Sequence, residues 1–107
     1  MKPVAEPNAD AITLSGVMAA LSDPVRVEIV RGLAAQGETA CGVFELGISK
    51  ATRSHHFRVL REAGVTRTRA DGTRRMVSLR RDDLDARFPG LLDAVLAAAE
   101  REAPAPV

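Results

Sequence analysis

Between Ser49 and Gly64 the chain encodes one helix together with its start and its stop. Ser49 offers a hydroxyl to the free amides of a first turn, and Gly64 supplies the left-handed backbone that closes a last one. Successive helical residues point about 100° apart, so within the stretch from Lys50 to about Ala63 one side carries Phe57, Leu60 and Ala63. Any fold adopted by this chain must bury that side. Ala51, Ser54, His55, Arg58 and Arg61 fall largely on the other, and Lys50 projects from the exposed first turn. The wheel also separates the only two histidines: His55 points outward beside Ser54 and Arg58, whereas His56 shares an arc with Thr52 toward the body of the domain.

The flanking segments narrow the architecture. Upstream, "ETACGVFELGI" reads as an abbreviated helix and a turn through Gly47, which with the capped helix makes a helix-turn-helix pattern. Downstream, "VTRTRADGTRRMVSLR" holds two β-prone stretches around Asp71-Gly72, a pair suited to a two-residue hairpin turn, and so predicts a basic wing. "SDPVRVEIVRGLAAQG" is a further helix, with Asp23 as cap, Pro24 in the first position, Val25, Ile29, Val30 and Leu33 on one face and Gly37 as stop. Before it, Asp10 to Ala20 predicts a first helix capped by Asp10, with a stripe of Ile12, Leu14, Val17, Met18 and Leu21. The last helical stretch, "DDLDARFPGLLDAVLAAAERE", is interrupted at Phe88-Pro89-Gly90 and carries the stripe Leu91, Leu92, Val95, Leu96 and Ala99. Residues 1–9 and 103–107 are proline-bearing and aperiodic and read as disordered tails around one domain at 10–102. The expected class is mainly α within α+β: a winged helix-turn-helix with a two-stranded wing.

A chain of 107 residues with three phenylalanines and no tryptophan or tyrosine must build that one domain on an aliphatic core. A single cysteine, Cys41, excludes an internal disulfide and a four-cysteine zinc site. No apolar run approaches the roughly 20 residues needed to span a bilayer, and nothing at the start resembles a signal segment. The expected location is therefore the cytoplasm, with no membrane partner.

Charge is segregated along the chain. From Ser49 to Arg81 ten basic residues face two acidic ones, Glu62 and Asp71, a balance of +8 in a chain whose total is +1, which leaves −7 elsewhere. Such asymmetry suits a polyanion-binding half on an acidic scaffold; a merely solvated basic surface is the plainer reading. With an α-helix able to enter the major groove, Lys50, Ser54, His55 and Arg58 are candidate base contacts. Ser49, Thr52 and the free amides at the helix start can hold a phosphate, and Arg67, Arg69, Arg74 and Arg75 of the hairpin can follow the DNA backbone or enter the minor groove.

The paired histidines do not read as a metal site, because chelating pairs on helices sit three or four residues apart. Nor does a Cys41/His nucleophile pair convince in so small a domain, and no set of nucleophile, base and orienting group can be assembled. The chain is expected not to be an enzyme.

"ALSDPVRVEIVRGLA" and "ISKATRSHHFRVLREAGV" resemble the entry helix and recognition segment of the ArsR-type winged helix-turn-helix repressors, and "TRADGTRRMVSL" is similar to that family's wing. The resemblance covers about Val17 to Leu79. It implies a homodimeric transcriptional repressor that binds an imperfectly palindromic operator in double-stranded DNA and is released by a metal ion or another signal. It also implies dimerisation through the first and last helices, here the stripes Ile12, Leu14, Val17, Leu21 and Leu91, Leu92, Val95, Leu96, Ala99, for which core packing is the competing reading. Two features depart from the family. Its Cys-Val-Cys metal motif is replaced by "ETACGVFELG", and its Asp and His ligands on the last helix are reduced to Asp93. No cofactor is evident, and a metal site, if present, is unknown and of unusual type. The signal is left open between a redox change at Cys41, a small molecule, an oxygen-rich metal site and a corepressor protein. Arg53, where the family usually has an aliphatic residue, is expected to snorkel to a phosphate or an acid. A winged-helix module that binds an acidic protein instead of DNA is the alternative function.

Overall fold

A computed structural model describes residues 6–102; residues 1–5 and 103–107, which make up most of the two expected tails, lie outside the described residues. In chain order the elements are α1 (Leu14–Ala20), α2 (Pro24–Gln36), β1 (Thr39–Ala40), α3 (Lys50–Glu62), β2 (Thr66–Asp71), β3 (Arg74–Leu79), α4 (Arg81–Arg87) and α5 (Leu91–Glu102), with single 3-10 turns at Ala9–Ala11 and Cys41–Val43.

The two best-marked helices form as their ends dictate. Asp23 accepts the amide hydrogens of Val25 and Arg26, Pro24 occupies the first turn, and Gly37 leaves α2 at a φ of 76°. Burial pushes the Asp23 carboxyl up, but those two amides and the Arg26 guanidinium outweigh it and hold it below the ordinary value. The cap's contribution is therefore present above the ordinary carboxylate range and lost as pH falls through the lowered value. Ser49 Oγ accepts from Thr52 N at 3.1 Å to start α3. At the other end Val65 N–H reaches Leu60 O and Gly64 N–H reaches Arg61 O, both at 3.0 Å. This is a Schellman closure, and it requires the positive φ of Gly64.

The first helix is shorter than expected. Asp10 lies in the 3-10 turn and caps nothing; Ile12 is extended, and Thr13 starts α1 by accepting from Gly16 N at 3.0 Å. Ile12 thereby leaves the helical stripe and enters the core beside Gly64. The segment before α3 also departs from the expected abbreviated α-helix. It forms β1, one 3-10 turn and irregular chain through Gly47, because two glycines within six residues leave too little propensity to nucleate a helix. Phe44 in this segment packs edge-on against Phe57, centroids 5.5 Å apart, and lies so close to Gly32 that a Cβ there would meet its ring at 2.8 Å. The approach to α3 is thus fixed by rings rather than by a helix.

The expected two-stranded hairpin forms from β2 and β3, and β1 adds to it as a third strand in the order β1-β3-β2, all antiparallel. Asp71 pairs with Arg74, so the two turn residues are Gly72-Thr73 rather than the expected Asp71-Gly72. Only Gly72 has positive φ there, the pattern of a type II′ turn. The core is aliphatic: Val17, Ile29, Val30, Leu33, Leu60, Val65, Val77, Leu84 and Leu92 with Ile12 and the edge of Phe57. Each such side chain contributes roughly 1.5–3 kcal/mol on burial.

Two arginines, buried Arg80 and partly buried Arg26, tie the elements together. Arg26 donates from Nε to Ala20 O at 2.6 Å, from Nη2 to Ala19 O at 3.4 Å and from Nη1 to His56 Nδ1 at 3.1 Å, linking α2 to the end of α1 and to α3. Arg80 donates to Pro7 O at 2.7 Å and to Asp83 Oδ2 at 3.0 Å. Residues 6–8, expected in the disordered tail, are therefore held: Glu6 also accepts the Thr68 amide at 2.7 Å, capping the outer edge of β2.

Candidate nucleic-acid interface

On α3, Lys50, Ser54, His55 and Arg58 are exposed while His56, Phe57 and Leu60 are buried, as the wheel requires. The structure brings these four donors onto one surface, with no acid on the helix before its last residue, Glu62. Arg58 Nη2 lies 3.2 Å from His55 Nδ1. A guanidinium can only donate, so Nδ1 is the acceptor and the proton sits on Nε2, which leaves a directed N–H donor at the outer face. Donors of this kind match guanine N7 and O6 or thymine O4 in a major groove. Thr52 is exposed rather than packed inward, and the Ser49 hydroxyl donates to Thr52 Oγ1 at 2.9 Å while capping the helix. Both hydroxyls are thus engaged locally at the helix start.

Arg53 lies on a different side. At +4 spacing with Phe57 and Arg61 it faces the 3-10 turn at Cys41 and the hairpin, not the outer surface. The wing arginines also divide. Strand alternation and register place Arg75, opposite Ala70, on the face of buried Val77, and place Arg67 and Arg69 on the reverse face. Arg67 meets Glu6 at 3.8 Å and Asp83 at 3.4 Å; Arg69 grips Glu38 through both Nε and Nη2, the shortest contact 2.6 Å; Arg74 meets Asp71 at 3.3 Å. The Arg69 guanidinium, followed by opposed burial, holds the Glu38 carboxyl below its ordinary value. The +8 segment is therefore partly neutralised in space by acids from outside it. Among the described residues of that segment Lys50, Arg53, Arg58 and Arg75 have no ion pair with an acid.

Exposed pairs of this type are worth only about 0–1 kcal/mol, so a phosphate can replace the carboxylate. Glu38→Gln is expected to release Arg69, strengthen binding to non-specific DNA roughly two- to fivefold and steepen the log K against log salt slope by up to about 0.9. Filter binding from low to moderate salt reads both; an unchanged slope would show that Arg69 never reaches the backbone.

Residues 23–67 match the model of the bacterial regulatory protein, arsR family. The chain is 44% identical over 84 residues to the HTH-type transcriptional regulator YceK of Bacillus subtilis, covering 74% of this chain and 82% of that one. It belongs to the ArsR family. This ArsR-family chain is also 36% identical over 73 residues to the arsenical resistance operon repressor of Staphylococcus xylosus, covering 67% and 70% of the two chains. Its fold is similar to the crystal structure of the transcriptional repressor BigR from Xylella fastidiosa, with a TM-score of 0.62, 30% identity and coverage of 86% and 89%. An ArsR-family chain with this winged fold is a DNA-binding transcriptional regulator, not an enzyme.

Metal sensing needs a donor set. Among the described residues no three His, Cys, Asp or Glu side chains converge. Cys41 instead sits among the charges of Arg75, Arg53 and Arg61, which disfavour a cation, and burial pushes its thiol above the ordinary value despite them. That protonated thiol is also a weak nucleophile, which weakens the expectation of a redox role. No described helix is long and apolar enough to cross a membrane.

The two stripes expected at a dimer seam are divided by the fold. Ile12, Val17 and Leu92 are 1%, 2% and 3% exposed and belong to the protomer's own core, so they are not free for a partner. Leu14 and Met18, 48% and 57% exposed, project from α1, and Leu21, Leu91, Val95, Leu96 and Ala99 are half-buried. Ile12 leaves its stripe because α1 starts at Thr13 rather than Asp10, while Val17 and Leu92 follow the competing reading of core packing.

Proposed function

We propose that the chain is a cytoplasmic repressor that binds, as a homodimer, an imperfect palindrome in double-stranded DNA. The observation that carries this is the outer face of α3, where Lys50, Ser54, His55 and Arg58 stand together beside the basic hairpin. His55 and Arg58 read base edges, Lys50 and Ser54 flank them, and the amides near Ser49 and Thr52 approach a phosphate. Arg67, Arg69 and Arg74 exchange their carboxylates for backbone phosphates. The exposed pair Leu14 and Met18 on α1, together with half-buried Leu21 and, on α5, half-buried Val95 and Ala99, supports a two-fold seam formed by α1 and α5. Such a dimer sets two recognition helices about one DNA turn apart. The signal that releases it is a small molecule, a metal of unusual coordination or a corepressor protein.

A gel-shift titration on the promoter upstream of the protein's own gene, against a random duplex at near-physiological salt, tests this reading. No preference for the promoter would sink it. In the same assay His55→Ala is expected to weaken specific binding about tenfold, the value of a good base contact, while non-specific binding changes less than about twofold. Equal losses on both duplexes would show that His55 reads no base.

A further inference from the structure

Between α3, the hairpin tip and the 3-10 turn at Cys41–Val43 lies a cleft of about 770 Å³, within the range of small-molecule sites. Its walls are unlike the reverse face of the sheet. No aspartate or glutamate lines it, whereas Lys50, Arg53, Arg61, Arg74 and Arg75 do. Arg67 and Arg69, on the reverse face of the sheet, are already matched by Glu6, Asp83 and Glu38. Toward its floor the cleft turns apolar, with Ala40, Cys41 and Phe57, and Val43 at its mouth is 62% exposed, the most exposed large hydrophobic residue among those described. Arg53 and Arg75 approach from two different elements, and half-buried Arg53 points into the cleft, away from the groove-reading face. An unpaired guanidinium beside an apolar floor is costly to hold without an anion, and a planar fork suits a carboxylate or a phosphate.

We propose that this cleft binds a small organic anion, a carboxylate or phosphate ester joined to an apolar portion, with Arg53 and Arg75 clasping the charged end and Cys41, Val43 and Phe57 covering the rest. Lys50, Ser54 and Arg74 line the cleft and also stand at the surface assigned to DNA, so occupant and operator compete for them. This competition rests on the DNA-binding reading, whereas the site itself does not.

The sole cysteine supplies a direct readout. Cys41 in the full chain is labelled with N-ethylmaleimide, without DNA and at constant ionic strength, and the rate is followed by intact mass with phenyl phosphate, benzoate or inorganic phosphate present. Phenyl phosphate, benzoate or both are expected to slow labelling saturably. Which of them does so distinguishes the phosphate ester from the carboxylate as source. Arg53→Gln and Arg75→Gln, each measured against its own unliganded rate, are expected to raise the half-protecting concentration about tenfold, the loss of one charge-assisted hydrogen bond. Arg67→Gln on the reverse face should leave it unchanged. Absence of saturable protection by either organic anion up to about 10 mM, a free energy of binding too weak to matter, overturns the proposal. So does equal protection by inorganic phosphate, or protection that survives both cleft substitutions. Because no DNA is present, such a failure would leave the gel-shift result intact, and a failed gel shift would leave this site intact.

Discussion

Gly64→Ala is expected to remove a large share of the protein's stability. A side chain at a φ of 83° costs roughly 1–2 kcal/mol in backbone strain alone. A Cβ there would also lie 2.5 Å from Ile12 Cγ1, 2.7 Å from Ile12 Cδ1 and 3.3 Å from Pro7 Cγ. Ile12 is itself buried and cannot swing aside, so overpacking adds roughly 1–3 kcal/mol. A total of roughly 2–5 kcal/mol is a large share of the roughly 5–15 kcal/mol typical of a domain. At about 4–8 °C per kcal/mol for a domain of this size, the midpoint in a thermal circular-dichroism scan should fall by about 8–40 °C. Gly37 and Gly72 also have positive φ, yet nothing lies within 4 Å of a Cβ built at either. Alanine at those positions should cost only the strain, about 1 kcal/mol. If Gly64→Ala were no worse than Gly37→Ala, the close packing of Ile12 over the end of α3 would be wrong. The functional weight of the position follows from its place: it joins the recognition helix to the first strand of the wing, so relaxing this contact moves one DNA-facing element against the other.

What could be read from the sequence was whatever local chemistry determines. The caps Asp23 and Ser49, the stops Gly37 and Gly64, and the break at Phe88-Pro89-Gly90 each act within a turn of helix, and the fold uses all of them. The division of α3 into a buried face through Phe57 and Leu60 and an exposed one through Ser54, His55 and Arg58 needs only helical geometry. Long-range features stayed hidden. β1 is a two-residue strand that exists because Thr39 and Ala40 find Val77 and Met76, and nothing in a two-residue stretch encodes that pairing. The neutralisation of the wing could not be seen in a linear charge count either, because Glu6, Glu38 and Asp83 are 61, 31 and 16 positions from Arg67 or Arg69 at their nearest and farthest partners in that set. Arg80, counted in the basic segment only as one more charge, is a buried clamp. Composition gives such a residue no mark; only its carbonyl and carboxylate partners do.

The second large effect is expected at Arg26, whose side chain ties three helices through partners 6, 7 and 30 residues away. Arg26→Ala would strand the carbonyl of Ala20 at the end of α1, whereas Ala19 O keeps the Ser22 amide and hydroxyl, and would leave His56 Nδ1, on the buried face of α3, without a donor. Hydrogen bonds from a charged donor are worth roughly 1.5–3 kcal/mol each and do not add fully, so a loss of about 3 kcal/mol is expected. That corresponds to a fall of roughly 12–24 °C in the thermal midpoint. Arg26→Lys keeps the charge but not the planar fork that reaches a carbonyl and an imidazole at once, and should recover less than half. His56→Ala should cost less, since Arg26 keeps both carbonyls, and the Arg26→Ala/His56→Ala double variant should show a coupling of about 1 kcal/mol. Additive losses would mean that the 3.1 Å contact between them does not hold α3 to α2. His55 and His56, adjacent in sequence, would then be separable by experiment: His56→Ala lowers stability with little change in base preference among folded molecules, whereas His55→Ala does the reverse. Neighbours one helical step apart thus divide the work, one fixing the recognition helix on the scaffold and the other reading from it.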